Sequence, residues 1–199
     1  ADQLLGDHTG AIVLMNAETG EILVMSSHPT YNPNNLDEEG EALSQDSSSP
    51  LLNRATQGLY PIGTALLPLL RAEFGERLPS NSELQAFYER LGLFQAPTLN
   101  MPVTVDEKTD SLQNLRVSPL QAVIAAASIS YQGILPAPRI ATAVNTPDQG
   151  WVVLPALSQP VEVIQAEAAN EAALSFIKKG KPYWSHIGRA SVGNIHFSW

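Results

Sequence analysis

The 199-residue chain contains no cysteine, which removes disulfides and thiolate metal sites from consideration. Positive charge is scarce: eleven Lys and Arg stand against twenty Asp and Glu, a formal net charge of −9. Phosphate backbones are bound by basic surfaces, so the charge argues against nucleic acid as a partner. No apolar run reaches the ~18–20 residues of a membrane helix, and no signal-peptide pattern opens the sequence. Any membrane tether is therefore expected in a segment not present here. His8, His28, His186 and His196 show no ligand spacing, so neither a metal nor another cofactor is expected. "GRASVG" at 188–193 reads as strand and turn rather than as a phosphate loop.

What is present suits one domain over 1–199, long enough to bury roughly 70% of its unfolded surface. "GAIVLMNAETGEILVMSSHP" holds two apolar runs, Ala11 to Met15 and Glu21 to Met25, around a Gly20 turn. They predict a hairpin, each strand buried on both faces. Residues 30–50 are rich in Asn, Asp, Glu, Ser and Pro and read as a solvated loop. The carboxylates of Asp37, Glu38, Glu39 and Glu41 are taken as loop charge rather than as a metal site.

A middle part over 50–182 is mostly helical. Tyr60-Pro61-Ile62-Gly63 is a turn and Thr64 a candidate N-cap for a helix running to about Arg77. "SELQAFYERL" is a second helix, stopped by Gly92. "SPLQAVIAAASISYQG" is a third, with Ser118 as N-cap, Pro119 at the first helical position and Gly133 ending it. Residues 161–179 give a short extended piece and another helix. "YWSHIGRASVGNIHFSW" alternates like two strands joined at Gly193-Asn194, with His196 as a strand residue holding a hydrogen-bond partner. Strands over 1–29 and 183–199 around a helical middle predict an α+β fold with an antiparallel sheet built from both chain ends.

These pieces, in this order, resemble the transpeptidase domain of penicillin-binding proteins, above all the high-molecular-weight, monofunctional (class B-like) enzymes of bacterial cell-wall synthesis. The likeness rests on the opening hairpin, on "PLLNRATQGLYPIGT" (50–64), on "LRVSPLQAVIAAASISYQGILPAPRI" (115–140), and on "HIGRA" before "HFSW". The resemblance implies the penicillin-binding-protein/β-lactamase-like fold. That fold would be truncated here, because Trp199 falls inside the fourth strand and the family goes on to a fifth strand and a terminal helix.

The family's chemistry uses Ser-x-x-Lys, Ser-x-Asn/Asp and Lys-Thr/Ser-Gly for acyl transfer from a stem peptide. This chain departs at all three. Thr64 stands in the nucleophile's place, on a stiffer β-branched carbon. Leu67 replaces the general-base lysine and is expected in the core at the floor of the groove. The second motif reads as Pro79-Ser80-Asn81, keeping Asn81, or in another register as Ser80-Asn81-Ser82. The third reads His186-Ile187-Gly188-Arg189-Ala190. Gly188 would let substrate backbone approach, and His186 and Arg189 would flank it on opposite faces of the strand.

Losing a general base typically costs ~10²–10⁴-fold. The expectation is therefore a catalytically inactive D,D-transpeptidase homologue. It would serve as a scaffold or a peptidoglycan-peptide-binding module, with stem peptides or other cell-wall synthesis proteins as partners. Its place would be extracytoplasmic (periplasmic or cell-surface), membrane-tethered in the full-length protein. The alternative is a weak acyltransferase, a penicillin-binding protein acylated at Thr64.

Overall fold

A computed structural model describes all residues, 1–199. After a short helix α1 (Asp2–Leu5) come the antiparallel strands β1 (Gly10–Met15) and β2 (Ile22–His28). The turn between them is held by Asn16, whose side chain accepts the N–H groups of Glu18 and Thr19 at 3.0 and 3.1 Å. The hairpin is as expected, but it is not buried on both faces: Leu14 is 52% and Leu23 59% exposed. The ladder has only two strands, and the helix α5 described below packs on β1, so the other face meets solvent.

Residues 30–50 depart further from expectation. Asn32 accepts the Asn34 N–H at 3.1 Å and opens a 3-10 turn, Pro33–Asn35, from which helix α2 (Leu36–Gln45) grows. Asp37, Glu38 and Glu39 occupy its first turn. Carboxylates there complement the positive end of the helix dipole. No residue of α2 is buried.

Strand β3 (Tyr60–Pro61) leads into a 3-10 turn over Gly63–Leu66, then α3 (Leu67–Phe74). Thr64 caps nothing, because it lies inside the turn, and the helix stops at Gly75 rather than near Arg77. Helix α4 (Asn81–Arg90) and, after β4 (Arg116–Val117), helix α5 (Pro119–Ser130) each start on a reciprocal capping box, Ser80 with Glu83 and Ser118 with Gln121. The strands β5 (Ile134–Leu135), β6 (Ala143–Thr146), β7 (Gly150–Val153) and β8 (Val161–Glu162) precede helix α6 (Ala166–Ser175). Strands β9 (Arg189–Val192) and β10 (Ile195–Ser198) close the chain as a hairpin.

The core gathers where α3, α4, α5 and α6 meet, with Leu69, Phe87, Leu91, Ile129 and Ala169 all buried in one cluster. The class is α+β with a mostly helical middle, as the sequence reading had it. The terminal hairpins β1–β2 and β9–β10 form separate two-stranded ladders. No helix is long and apolar enough to cross a membrane.

Candidate active site

The site is a seam between two segments far apart in sequence, the 3-10 turn at 63–66 and the stretch 186–190 that enters β9. Thr64 is its hub. The Arg189 N–H donates to Thr64 Oγ1 at 2.9 Å, and that hydroxyl lies 3.4 Å from the Arg189 carbonyl. His186 Nε2–H donates to the Thr64 carbonyl at 2.7 Å. The ring of His186 packs edge-on against Phe176, with centroids 5.1 Å apart.

Two glycines let the segments touch. A Cβ on Gly188 would lie inside van der Waals contact of Ala65 Cα, Cβ and N. At Gly63, where φ is +51°, a Cβ would strike the Arg189 carbonyl. The close approach that Gly188 permits is therefore to backbone of the same chain. Aromatic side chains brace the seam from below. Trp199 Nε1–H donates to the Pro61 carbonyl at 2.9 Å, Trp184 Nε1–H to Ser130 Oγ at 3.0 Å, and Tyr60 stacks on Phe197 with centroids 5.9 Å apart. Beside it opens an apolar cleft of about 230 Å³, walled by Ala65, Leu66, Ala122, Ala126, Trp184 and Trp199 among others.

Leu67 corrects the sequence reading. It is 42% exposed rather than buried. Its N–H bonds back to the Thr64 carbonyl, as a 3-10 turn requires, and residues three apart then eclipse each other on one side. Thr64 is exposed, so Leu67 beside it faces outward too. Asn81 is the exposed first residue of α4, and the neighbouring Ser80 hydroxyl is committed to the capping box with Glu83. No hydrogen bond joins either residue to Thr64, His186 or Gly188. Arg189 does not turn inward; its side chain is exposed and forms no ion pair, and only its backbone meets Thr64. His186, Gly188 and Arg189 are brought to Thr64, although residues 185–188 precede β9 rather than belonging to it.

The chemistry follows from donors and acceptors. The Arg189 N–H is spent on the Thr64 hydroxyl itself, whereas an oxyanion of acyl transfer would form on the substrate's carbonyl oxygen. A proton acceptor is what is missing. Leu67 has none, and His186 Nε2 carries the proton of its bond to the Thr64 carbonyl, so it cannot take another from the hydroxyl. Burial raises the Tyr60 phenol above its ordinary pKa, against the opposing charge of Arg54, which keeps it neutral. No cluster of three or more His, Asp or Glu side chains is placed to hold a metal ion. Sequence reading missed Gly63 and Pro61 as parts of the site, since only the three-dimensional seam shows their roles.

Residues 10–65 match the penicillin-binding-protein transpeptidase domain model. Over that stretch the chain is similar to penicillin-binding-protein transpeptidases, and its whole length shares their fold. It is 39% identical over 74 residues to the peptidoglycan D,D-transpeptidase MrdA of Acinetobacter baumannii, a match covering 35% of this chain and 11% of that protein. It superposes on the D,D-transpeptidase domain of a peptidoglycan glycosyltransferase from Eggerthella lenta with a TM-score of 0.78 at 17% identity, covering 100% of this chain and 70% of that one. PBP2 of Helicobacter pylori, solved in complex with MreC, gives a TM-score of 0.69 at 17% identity over 99% of this chain and 53% of that one. The matched stretch is thus a small part of the curated relatives, while the transpeptidase fold extends over the whole chain.

Proposed function

We propose that this domain belongs to the machinery of peptidoglycan synthesis and is itself non-catalytic, holding cell-wall proteins or stem peptides rather than cross-linking them. The observation that carries the reading is the absence of a proton acceptor at Thr64. Leu67 stands one turn on and points outward, and His186 spends its Nε2 proton on the Thr64 carbonyl. In this reading Thr64 and Leu67 occupy the places of the family's nucleophile and lysine. Asn81 is the remnant of the second motif, and His186, Gly188 and Arg189 are the remnant of the third. The H. pylori PBP2–MreC complex supports cell-wall proteins as the kind of partner. The domain would work outside the cytoplasm, tethered to the membrane by another part of the protein.

Intact-protein mass spectrometry after incubation with benzylpenicillin tests the reading, and no adduct is expected. A stoichiometric penicilloyl mass increase that vanishes in Thr64→Ala would overturn it. Such an adduct is what the second reading requires, slow acyl transfer at Thr64. One observation favours that reading: Thr64 keeps an exposed position with its hydroxyl at the seam, where a nucleophile would stand.

A further inference from the structure

The charge of the molecule is sorted along the chain. Residues 172–199 hold four of its eleven basic residues, Lys178, Lys179, Lys181 and Arg189, and none of its twenty acidic ones. These last 28 residues therefore carry +4, against −13 on the remainder. Elsewhere the cations are mostly neutralised: Arg71, Arg77, Arg90 and Lys108 each pair with a glutamate, and Arg54 is buried against backbone carbonyls. The four late cations form no ion pair, and all are exposed.

Three of them share one turn. An antiparallel bridge between Ile177 and Trp184 and a bond from the Ser185 N–H to the Phe176 carbonyl pinch residues 178–183 into a protruding turn. The chain then passes His186, fixed on Thr64, to reach Arg189. The turn and its exit interleave the cations with exposed apolar side chains, Tyr183 at 53% and Ile187 at 63% exposure.

We infer that this turn is a docking surface for an acidic protein segment, one whose carboxylates meet the lysines while apolar side chains cover Tyr183 and Ile187. Charge complementarity sets the sign of the partner, and the aromatic and aliphatic anchors set its kind. Interfaces between proteins combine such anchors with a charged rim, whereas a polyphosphate or lipid headgroup would use the cations alone and leave Tyr183 and Ile187 uncovered. The inference deepens the scaffold reading by giving its partner a chemistry. Its failure is distinguishable from failure of that reading, because penicillin acylation reports on Thr64 and segment binding on the turn.

The test is fluorescence anisotropy of the whole chain with a labelled synthetic amphipathic peptide of glutamate and leucine, at low and physiological salt. The expected result is saturable binding that weakens with salt. Binding should fall at least about tenfold in K178E/K179E/K181E, by an intermediate factor in the neutral triple Lys→Gln variant, and about threefold or more in Tyr183→Ala. Arg116→Glu, an exposed charge change on the body of the domain, should leave binding unchanged. Circular dichroism melts confirm that each variant is folded. The inference is overturned if the parent does not bind, if the triple reversal binds as well as the parent, or if oligoglutamate, phosphatidylglycerol vesicles or single-stranded oligo-dT bind as tightly as the mixed peptide.

Discussion

Gly188→Ala tests the seam most directly. The added methyl would meet Ala65 Cα, Cβ and N, which are backbone or rigidly attached to it. It cannot be absorbed by a flexible side chain, so the turn at 63–66 and the entry to β9 must separate. Overpacking of this kind costs roughly 1–3 kcal/mol. Separation also loosens the Arg189–Thr64 and His186–Thr64 hydrogen bonds of 2.9 and 2.7 Å, each worth about 0.5–1.5 kcal/mol net. The expected loss is about 2–5 kcal/mol, a fall of roughly 5–15 °C in Tm for a domain of this size. The matched control is Gly40→Ala in α2, which like Gly188 has no positive φ and where nothing lies within 4 Å of the added carbon. In a helix interior that change should leave the domain as stable or stabilise it by up to ~1 kcal/mol. Paired melts, with amide exchange at Arg189, decide the matter. If Gly188→Ala melts no lower than Gly40→Ala and the Arg189 amide stays protected, the two segments are not in the contact described.

Leu67→Lys replaces a half-exposed leucine, so stability should stay within ~0.5 kcal/mol of the parent. Penicillin mass spectrometry should still show no adduct, because the added lysine lacks the partners that would tune it. Glu83 is held at a pKa of about 2, first by the Arg77 guanidinium and then by the Ser80 N–H and hydroxyl. A carboxyl depressed in the folded state stabilises fully above its ordinary pKa of 4.5 and loses that contribution as pH falls toward 2. Urea melts at pH 5 and pH 2.5 should accordingly show a smaller acid loss in Glu83→Gln than in the parent, and equal losses would refute the capping box. Tyr88 is fully buried with an unpartnered hydroxyl, and burial pushes its pKa up to about 12. Tyr88→Phe removes that unmatched group and should leave the domain as stable or up to ~1–2 kcal/mol more stable; a loss of that size would reveal a partner for the hydroxyl.

The features legible in the sequence are those fixed by near neighbours. Ser118 with Gln121 reads as a helix start from spacing alone, and the Gly193-Asn194 turn pairs Ser191 with His196 at 2.9 Å, the partner expected for that histidine. Helix α2 was missed because its Asn, Asp, Glu and Ser content reads as solvated loop, and because it buries no residue. Leu67 was placed on the correct side of its turn, eclipsing Thr64, and at the wrong depth. Depth is set by what lies across the turn, and that information sits in residues 186–190. The same holds for Asn81, whose place at the start of α4 is fixed locally by the Ser80 cap but whose separation from Thr64 depends on how α4 packs through Phe87 and Tyr88.

The seam joins residues 122 to 138 positions apart, from His186 and Arg189 on Thr64 to Trp199 on Pro61. Closing so long a loop is entropically costly and is repaid only when both sides are present. A ribosome synthesising this chain would present the helical core well before the Thr64 hydroxyl had any partner. Thr64 would acquire its neighbours in one late step, after Trp199 has emerged. Protection of the Arg189 amide during pulsed refolding would then appear after protection of α4 and α5, timing the assembly of the site as an event separate from formation of the core.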